Sequence, residues 1–221
     1  APAALLTTVM PDPTGYGRVL REGEMVRGIV EHRDATPEQC LITEVAVSTY
    51  AFDGAALAQA LAGLGRGNDQ GEYYLTDAVA ALAAGGEVRA VPVADPAEVQ
   101  GVNSLGQLAA VAAEVRRRVN ASWMAAGVEM VDPERVYLDA AVTLEAGARL
   151  YPGVHLEGRT TVAAGAEVGP DVFAVDSTIG PGARGWYSVL RGAEVGEGVS
   201  VGPFASLRPG TRLMAGAKVG T

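Results

Sequence analysis

Aliphatic residues recur at every sixth position in the second half of the chain. One set comprises Leu138, Leu144, Leu150, Leu156, Val162 and Val168, and a second comprises Val189, Val195, Val201, Leu207, Leu213 and Val219. A period of six fits neither an α-helix nor a hairpin sheet, and it favours a solenoid of short parallel strands over a glycine-rich sandwich. Each inward Leu or Val then contributes roughly 1.5–3 kcal/mol by burial.

Between the two sets, residues 169–188 (GPDVFAVDSTIGPGARGWYS) interrupt the spacing. Ile179 is out of step with both sets, and the segment is rich in Pro, Gly and aromatic residues. We expect a bulge or an external loop that leaves one corner of the solenoid.

The first hundred residues show a different pattern. ITEVAVSTYAF and VRAVPV are strand candidates because they are rich in β-branched and aromatic residues. The stretches after Asp53 (GAALAQALAGL) and Tyr74 (LTDAVAALAAG) are Ala- and Leu-rich and end at glycine, which predicts two helices. The order strand, helix, helix, strand indicates an α/β fold.

A long amphipathic helix is predicted from Ser104, a suitable N-cap residue. Its apolar residues step by three and four from Leu105 to Val119. Three successive arginines, 116–118, spread over most of the helix circumference, so we interpret them as a solvated face and not as a phosphate site.

Composition narrows the function classes. The net charge is −9 with a pI near 4.7, which disfavours nucleic acid and anionic membranes as partners. We expect no membrane segment and no signal peptide, and a cytoplasmic location. The single cysteine, Cys40, cannot form an internal disulfide and is interpreted as structural.

Five short motifs occur together in order: DPTGYGR at 12–18, GIVEHRDAT at 28–36, GEYYLTD at 71–77, GVN at 101–103 and GPFASLRPG at 202–210. With them, the chain resembles an internal stretch of the bifunctional N-acetylglucosamine-1-phosphate uridyltransferase/glucosamine-1-phosphate acetyltransferase family. The resemblance implies part of a Rossmann-like nucleotidyltransferase domain (1–103), a linking helical arm (104–130) and the first coils of a left-handed parallel β-helix of hexapeptide repeats (131–221). It also implies a homotrimer formed through the β-helix.

The resemblance assigns substrate-binding roles to Gly17, Glu31, Asn103 and Arg208. Gly17 lacks a side chain and would let the backbone approach a sugar; Glu31 would accept hydrogen bonds from sugar hydroxyls, or else is a surface carboxylate. Asn103 would contribute a carbonyl oxygen to Mg²⁺. Arg208 would grip a sugar phosphate, or else is a solvated turn residue.

Other residues of these motifs have less definite roles. Glu72 could line the sugar site, whereas Tyr73 and Tyr74 fit either the site or the core. The two histidines, His32 and His155, are too few for a multi-histidine metal centre and are interpreted as structural or surface residues.

The chain also departs from the family pattern. The glycine-rich phosphate loop, the second Mg²⁺ ligand and the acetyl-transfer histidine have no counterpart, so we expect both active sites to be incomplete and no catalytic residue within the chain. The family places asparagine where Ala46 stands, and a methyl group cannot replace an amide. Ser104 and Leu105 replace residues that are usually polar and basic beside the metal-binding asparagine.

The leading hypothesis is synthesis of UDP-N-acetylglucosamine: acetyl transfer from acetyl-CoA to glucosamine 1-phosphate, then uridylyl transfer from UTP with Mg²⁺. Two alternatives stay open. One is a single-activity sugar-1-phosphate nucleotidyltransferase with a structural β-helix, and the other is a non-catalytic trimeric scaffold.

Overall fold

The computed structural model describes residues 1–102 and 104–220. This part of the chain divides into two compact units, with the division between Gln107 and Leu108.

The first unit is a five-stranded mixed sheet with helices. Its elements are β1 (Ala3–Val9), β2 (Arg18–Glu22), β3 (Met25–Val30), α1 (Pro37–Cys40), β4 (Glu44–Phe52), α2 (Gly54–Ala62), α3 (Leu75–Gly85) and β5 (Val88–Pro92), followed by a 3-10 turn at Pro96–Val99. The strand order is β3-β2-β4-β1-β5. Only β1 and β5 pair in parallel, and the other neighbours are antiparallel. The two strands and two helices predicted between residues 42 and 93 are confirmed.

Local chemistry explains where these elements begin and how they pack. The Asp53 carboxylate accepts a hydrogen bond from the Ala56 amide at 2.9 Å and so caps the start of α2. Helix α3 packs on β3, where a Cβ on Gly28 would lie 3.2 Å from the Ala80 Cβ, so glycine permits the close approach. Buried aliphatic residues from β1, β2, β3, α3 and β5 form the core: Ala3, Leu5, Val19, Val26, Ile29, Val79, Leu82, Ala83 and Val88, together with Ala46 of β4.

The predicted long helix is α4 (Leu105–Ala125). The Ser104 hydroxyl accepts a hydrogen bond from the Gln107 amide at 3.2 Å, as expected of an N-cap. Arg117 and Arg118 both form ion pairs with Glu114, at 2.7 and 2.6 Å, and these hydrogen bonds lower the pKa of Glu114 to about 2. These pairings agree with a solvated face for Arg117 and Arg118, whereas the Arg116 guanidinium lies over the Tyr137 ring, 4.8 Å from its centroid.

The second unit is a parallel β-helix of about five coils. After a 3-10 turn at Pro133–Arg135, three sheets run along it. The strands are β6 (Glu129–Met130), β7 (Val136–Leu138), β8 (Thr143–Leu144), β9 (Arg149–Leu150), β10 (Val154–Glu157), β11 (Thr161–Val162), β12 (Glu167–Val168), β13 (Phe173–Val175), β14 (Thr178–Ile179), β15 (Arg184–Gly185), β16 (Val189–Arg191), β17 (Glu194–Val195), β18 (Ser200–Val201), β19 (Ser206–Leu207), β20 (Arg212–Leu213) and β21 (Lys218–Val219). The predicted fold class, an α/β unit followed by a hexapeptide-repeat β-helix, is confirmed.

Each predicted inward residue of the first set stacks on its equivalent in the next coil. Leu138 pairs with Leu156, Leu144 with Val162, and Leu150 with Val168. The second set needs one correction, because Leu190, and not Val189, is the buried residue that pairs with Leu207.

The expected loop at residues 169–188 is wrong, because this segment forms a regular coil containing β13, β14 and β15. Ile179 is 4% exposed and pairs with Val162 below and Val195 above. The inward positions are spaced by five residues at three corners, Ala174 to Ile179, Gly185 to Leu190 and Leu190 to Val195. Three one-residue shortenings thus shift the phase by half a repeat without any insertion.

Buried hydroxyls complete two of these shortened corners. The Ser177 hydroxyl donates to the Val175 carbonyl at 2.9 Å and accepts from the Ala193 amide at 3.2 Å. The Ser188 hydroxyl donates to the Trp186 carbonyl at 2.8 Å and accepts from an amide of the next coil at 3.2 Å. The hydroxyls satisfy backbone groups of the corner and of the next coil. Thr160 does the same at a corner of full length, donating to the Glu157 carbonyl at 2.7 Å and accepting from the Ser177 amide at 3.3 Å.

Among the described helices, none combines the length and the apolar character needed to cross a bilayer.

Candidate functional site

An open cavity of about 430 Å³ lies in the first unit. Five segments line it: the turn before β2, the residue after β3, strand β4, the start of α3, and Gly101. The lining residues are Gly15, Tyr16, Gly17, Glu31, Ala46, Ser48, Tyr50, Tyr73, Tyr74, Leu75, Thr76 and Gly101. Three positions that the resemblance connects with sugar binding, Gly17, Glu31 and Ala46, therefore meet in one place.

Gly17 lies in the turn before β2, where the surrounding atoms leave no space for a side chain. Its carbonyl oxygen accepts a hydrogen bond from the Ala46 amide at 2.9 Å. A Cβ at Gly17 would lie 2.7 Å from Cγ2 of Ile29 and 3.5 Å from a carboxylate oxygen of Glu31. Glycine thus keeps open the space beside the Glu31 carboxylate.

Glu31 follows directly after β3, and a residue of α3 holds its carboxylate. The Thr76 hydroxyl donates to Oε1 of Glu31 at 2.9 Å, and Thr76 is itself buried. A carboxylate has two acceptor oxygens, so Oε2 stays available to a ligand hydroxyl.

Strand β4 contributes alternating residues to the cavity. Ala46 presents a methyl group and is 6% exposed. Ser48 lies in the left-handed region with φ 54°, beside a break in the β1–β4 pairing. Burial, together with the charge of Glu31, raises the pKa of Tyr50 to about 12.

Tyr16 ties the first turn to the segment at the other end of the unit. Its hydroxyl accepts a hydrogen bond from the Gly101 amide at 3.2 Å. The buried Arg18 guanidinium donates to the Tyr16 carbonyl through Nη1, and its Nη2 lies 3.1 Å from Nδ1 of His32. Arg18 therefore stabilises the turn before β2, and His32 contacts the Arg18 guanidinium, which is a structural role.

Acidic side chains surround the α3 end of the cavity. Burial and the nearby carboxylates of Asp34, Glu31, Glu72 and Asp69 raise the pKa of Tyr74. Such a field favours neutral hydroxyl groups over phosphates at this end. Glu72 is not among the lining residues; its amide bonds the side chain of Asn68 at 3.0 Å.

Arg208 belongs to the second unit and lies exposed in a turn directly after the buried Leu207. Its carbonyl accepts a hydrogen bond from the Thr211 amide at 3.0 Å. No described residue pairs with its guanidinium, whereas the neighbouring Arg212 forms an ion pair with Glu194 at 3.1 Å. The Arg208 side chain is thus available to a ligand.

Asn103, predicted as the metal ligand, lies outside the described residues. Within 1–102 and 104–220, no three His, Cys, Asp or Glu side chains cluster as a metal site would require. His155 stacks on Tyr137 with ring centroids 4.3 Å apart, which fits a structural role.

Sequence reasoning did not identify Tyr16, Ser48 and Tyr50 as cavity residues. For two of them a signal was present, because side chains two and four positions beyond Ala46 on a strand point to the same side. Tyr16 had no such signal, since its partner Gly101 is 85 positions away.

The fold and cavity define a class of protein: a Rossmann-like α/β unit with an open cleft, followed by a hexapeptide-repeat β-helix. No protein-family model matches the chain. The chain is 50% identical, over 98% of its length, to the "Bifunctional protein GlmU" of Kineococcus radiotolerans, of which it covers 44%. The same name is borne by a Cutibacterium acnes protein at 47% identity over 98% of the chain, and by a Mycolicibacterium gilvum protein at 49% over all of it, with 53% and 45% of those proteins covered.

Along nearly all of its length the chain is similar to part of these bifunctional GlmU proteins, which confirms the resemblance inferred from the motifs. It spans about half the length of the curated relatives it matches.

Proposed function

We propose that this chain forms parts of both sites of an enzyme that makes UDP-N-acetylglucosamine. The first reaction is acetyl transfer from acetyl-CoA to glucosamine 1-phosphate. The second is uridylyl transfer from UTP to N-acetylglucosamine 1-phosphate, which releases pyrophosphate. The cavity that gathers Gly17, Glu31 and Ala46 is the observation that carries the proposal.

In this proposal the cavity holds the sugar end of the substrate. Glu31 accepts hydrogen bonds from sugar hydroxyls through the oxygen that Thr76 leaves unused. The open space at Gly17 lets the sugar lie against the backbone. Because the α3 end is acidic, the phosphates project away from Glu31.

Asn103 is the metal ligand in this proposal. Bound Mg²⁺ supplies positive charge that offsets the phosphates of UTP and the sugar phosphate. No three His, Cys, Asp or Glu side chains cluster within the described residues. In this proposal the phosphates of the substrate contribute further oxygen ligands.

The β-helix carries the acetyltransferase part. Arg208, exposed and without an acidic partner in the described part of the chain, contributes a guanidinium to the phosphate of glucosamine 1-phosphate. Within this chain the proposed limits are 1–103 for the C-terminal part of the nucleotidyltransferase domain, 104–130 for the arm and 131–221 for the first coils of the β-helix. Three subunits assemble through the β-helix in this proposal.

Calorimetric titration of UDP-N-acetylglucosamine with Mg²⁺ into this chain tests the sugar site. We expect saturable binding, and about fivefold tighter binding by Ala46→Asn, because one added hydrogen bond is worth on the order of 1 kcal/mol. Ala140→Asn, at an exposed position of the second unit, is the matched control and is expected to bind as the unaltered chain does. Absence of binding by both the unaltered chain and Ala46→Asn would overturn the proposal for the cavity.

Two alternatives make different predictions for the corresponding longer protein. A single-activity nucleotidyltransferase would transfer uridylyl groups and would fail to acetylate glucosamine 1-phosphate. The methyl group of Ala46 in the cavity is the observation that favours a non-catalytic scaffold, which would assemble normally and bind no sugar nucleotide.

A further inference from the structure

Tyr50 is a polar residue of the cavity that no assigned role uses. It lies on β4 and lines the cavity together with Glu31 and Ala46. Its ring stacks on Phe52, with centroids 5.6 Å apart and planes inclined by 20°, and it packs against the core of the first unit. The aromatic ring is therefore held in place by packing and not by its hydroxyl.

The Tyr50 hydroxyl has no partner within the part of the chain that the structure describes. The buried side-chain atoms that lack a hydrogen bond do not include this oxygen, so the Tyr50 hydroxyl is accessible from the cavity. Nearby Glu31 already accepts a hydrogen bond from Thr76 at 2.9 Å. With a pKa raised to about 12, the phenol keeps its proton at neutral pH and can donate it to a ligand.

The surroundings of Tyr50 select the chemistry of that ligand group. Ala46 offers a methyl group on the same strand, and Leu75 adds an aliphatic side chain to the cavity wall. A neutral donor beside an apolar surface complements a group that combines a carbonyl oxygen with a methyl. An acetamido group has both, whereas a hydroxyl has no methyl to bury.

We propose that Tyr50 is a specificity-determining residue, which donates a hydrogen bond to the acetamido carbonyl of the sugar. The inference rests on the proposed function, which places a sugar nucleotide in this cavity. It adds a residue and a reason for preferring an N-acetylated sugar.

The test compares two ligands and three chains by calorimetry. UDP-N-acetylglucosamine and UDP-glucose, which lacks the acetamido group, are titrated into the unaltered chain, Tyr50→Phe and Tyr187→Phe. Phenylalanine keeps the stacking ring and removes only the hydroxyl. Tyr187 is an exposed tyrosine of the second unit and serves as the matched control.

We expect Tyr50→Phe to weaken binding of UDP-N-acetylglucosamine about fivefold, the worth of one neutral hydrogen bond. Binding of UDP-glucose is expected to change less than twofold, so the preference between the two ligands falls. A purely structural role for Tyr50 would weaken both ligands alike. The control is expected to leave both affinities unchanged.

The outcomes separate the two proposals. Suppose that the unaltered chain binds saturably and that Tyr50→Phe changes neither affinity, or changes both equally. This result overturns the role of Tyr50 and leaves the proposed function standing. Absence of UDP-N-acetylglucosamine binding by the unaltered chain overturns the role of Tyr50, and absence of binding by Ala46→Asn as well overturns the proposed sugar site.

A second measurement applies if Tyr50→Phe does not fold. The unaltered chain is labelled with ¹³C at tyrosine Cζ, and the Tyr50 resonance is followed during titration. A shift with UDP-N-acetylglucosamine that UDP-glucose does not reproduce supports the hydrogen bond. The same shift with both ligands, or none, refutes it.

Discussion

Replacing Ile179 by alanine tests the finding that residues 169–188 form a coil of the β-helix. The side chain is 4% exposed and stacks between Val162 and Val195. The substitution removes three buried carbons at about 0.8 kcal/mol each, or about 2.4 kcal/mol. The cavity left behind adds to this cost, so we expect a loss of roughly 2–5 kcal/mol in the free energy of unfolding of the second unit.

Tryptophan fluorescence isolates this unit. The chain has two tryptophans, Trp123 and Trp186, and both lie on the C-terminal side of the division at Gln107. Unfolding in urea, followed by excitation that selects tryptophan, therefore reports on the β-helix alone. With a slope of about 1.5–2 kcal/mol per molar urea, the midpoint is expected to fall by roughly 1–3 M.

Met214→Ala is the matched control, because Met214 lies in the same unit and is 78% exposed. It is expected to change the free energy of unfolding by less than about 0.5 kcal/mol. If Ile179→Ala shifted the midpoint as little as Met214→Ala does, Ile179 would lie outside the core, and the argument from stacked inward positions would be refuted for this coil.

Three further changes are predicted. Hydrogen bonds from Arg21 lower the pKa of Glu44 below its usual 4.5. This carboxylate therefore stabilises the fold above that pH, and the benefit is lost as the pH falls through the lowered pKa. Calorimetric melting of Glu44→Gln should thus differ from the unaltered chain at pH 7, and the difference should shrink as the pH is lowered. Asn120→Ala should cost about 2–3 kcal/mol by tryptophan fluorescence, because the buried amide donates to two carbonyls at 2.7 and 2.9 Å that would lose their partner. Gly202→Ala should destabilise the β-helix by more than about 3 kcal/mol, since φ is +102° and the new Cβ would lie 2.1 Å from the Trp186 carbonyl oxygen.

Each of these has an outcome that contradicts it. A Glu44→Gln effect that stays constant from pH 7 to pH 3 would show that the ion pair with Arg21 does not set the pH dependence. Asn120→Ala at the stability of the unaltered chain would show that water replaces the amide. A normally stable Gly202→Ala would show that the corner relaxes at little cost.

Local pattern determined much of the fold. The strands around Val45 and Val88, the helices that follow Asp53 and Tyr74, and the cap at Ser104 were all predictable. Their signals lie within a few residues of one another: hydrophobic period, helix propensity and capping groups. The six-residue repeat likewise predicted inward stacking, because every coil places an aliphatic residue at the same spacing.

The tertiary structure decided how the repeat continues through residues 169–188. Three corners each lose one residue, and at two of them the Ser177 and Ser188 hydroxyls donate hydrogen bonds to backbone carbonyls. In the sequence alone, a shift of three residues in the six-residue spacing looks like an interruption of the repeat. Only the pairing of Ile179 with the coils on both sides distinguishes a shortened coil from an excluded loop.

The candidate site divides in the same way. Motifs along the sequence indicated Gly17 and Glu31 through the family that they resemble. The bond from Thr76 to Glu31 spans 45 positions, and the bond from Gly101 to Tyr16 spans 85. Such contacts arise when strands and helices that are distant in sequence pack on one sheet, so the sequence by itself determined which groups were present, and the tertiary structure decided which of them face one another across the cavity.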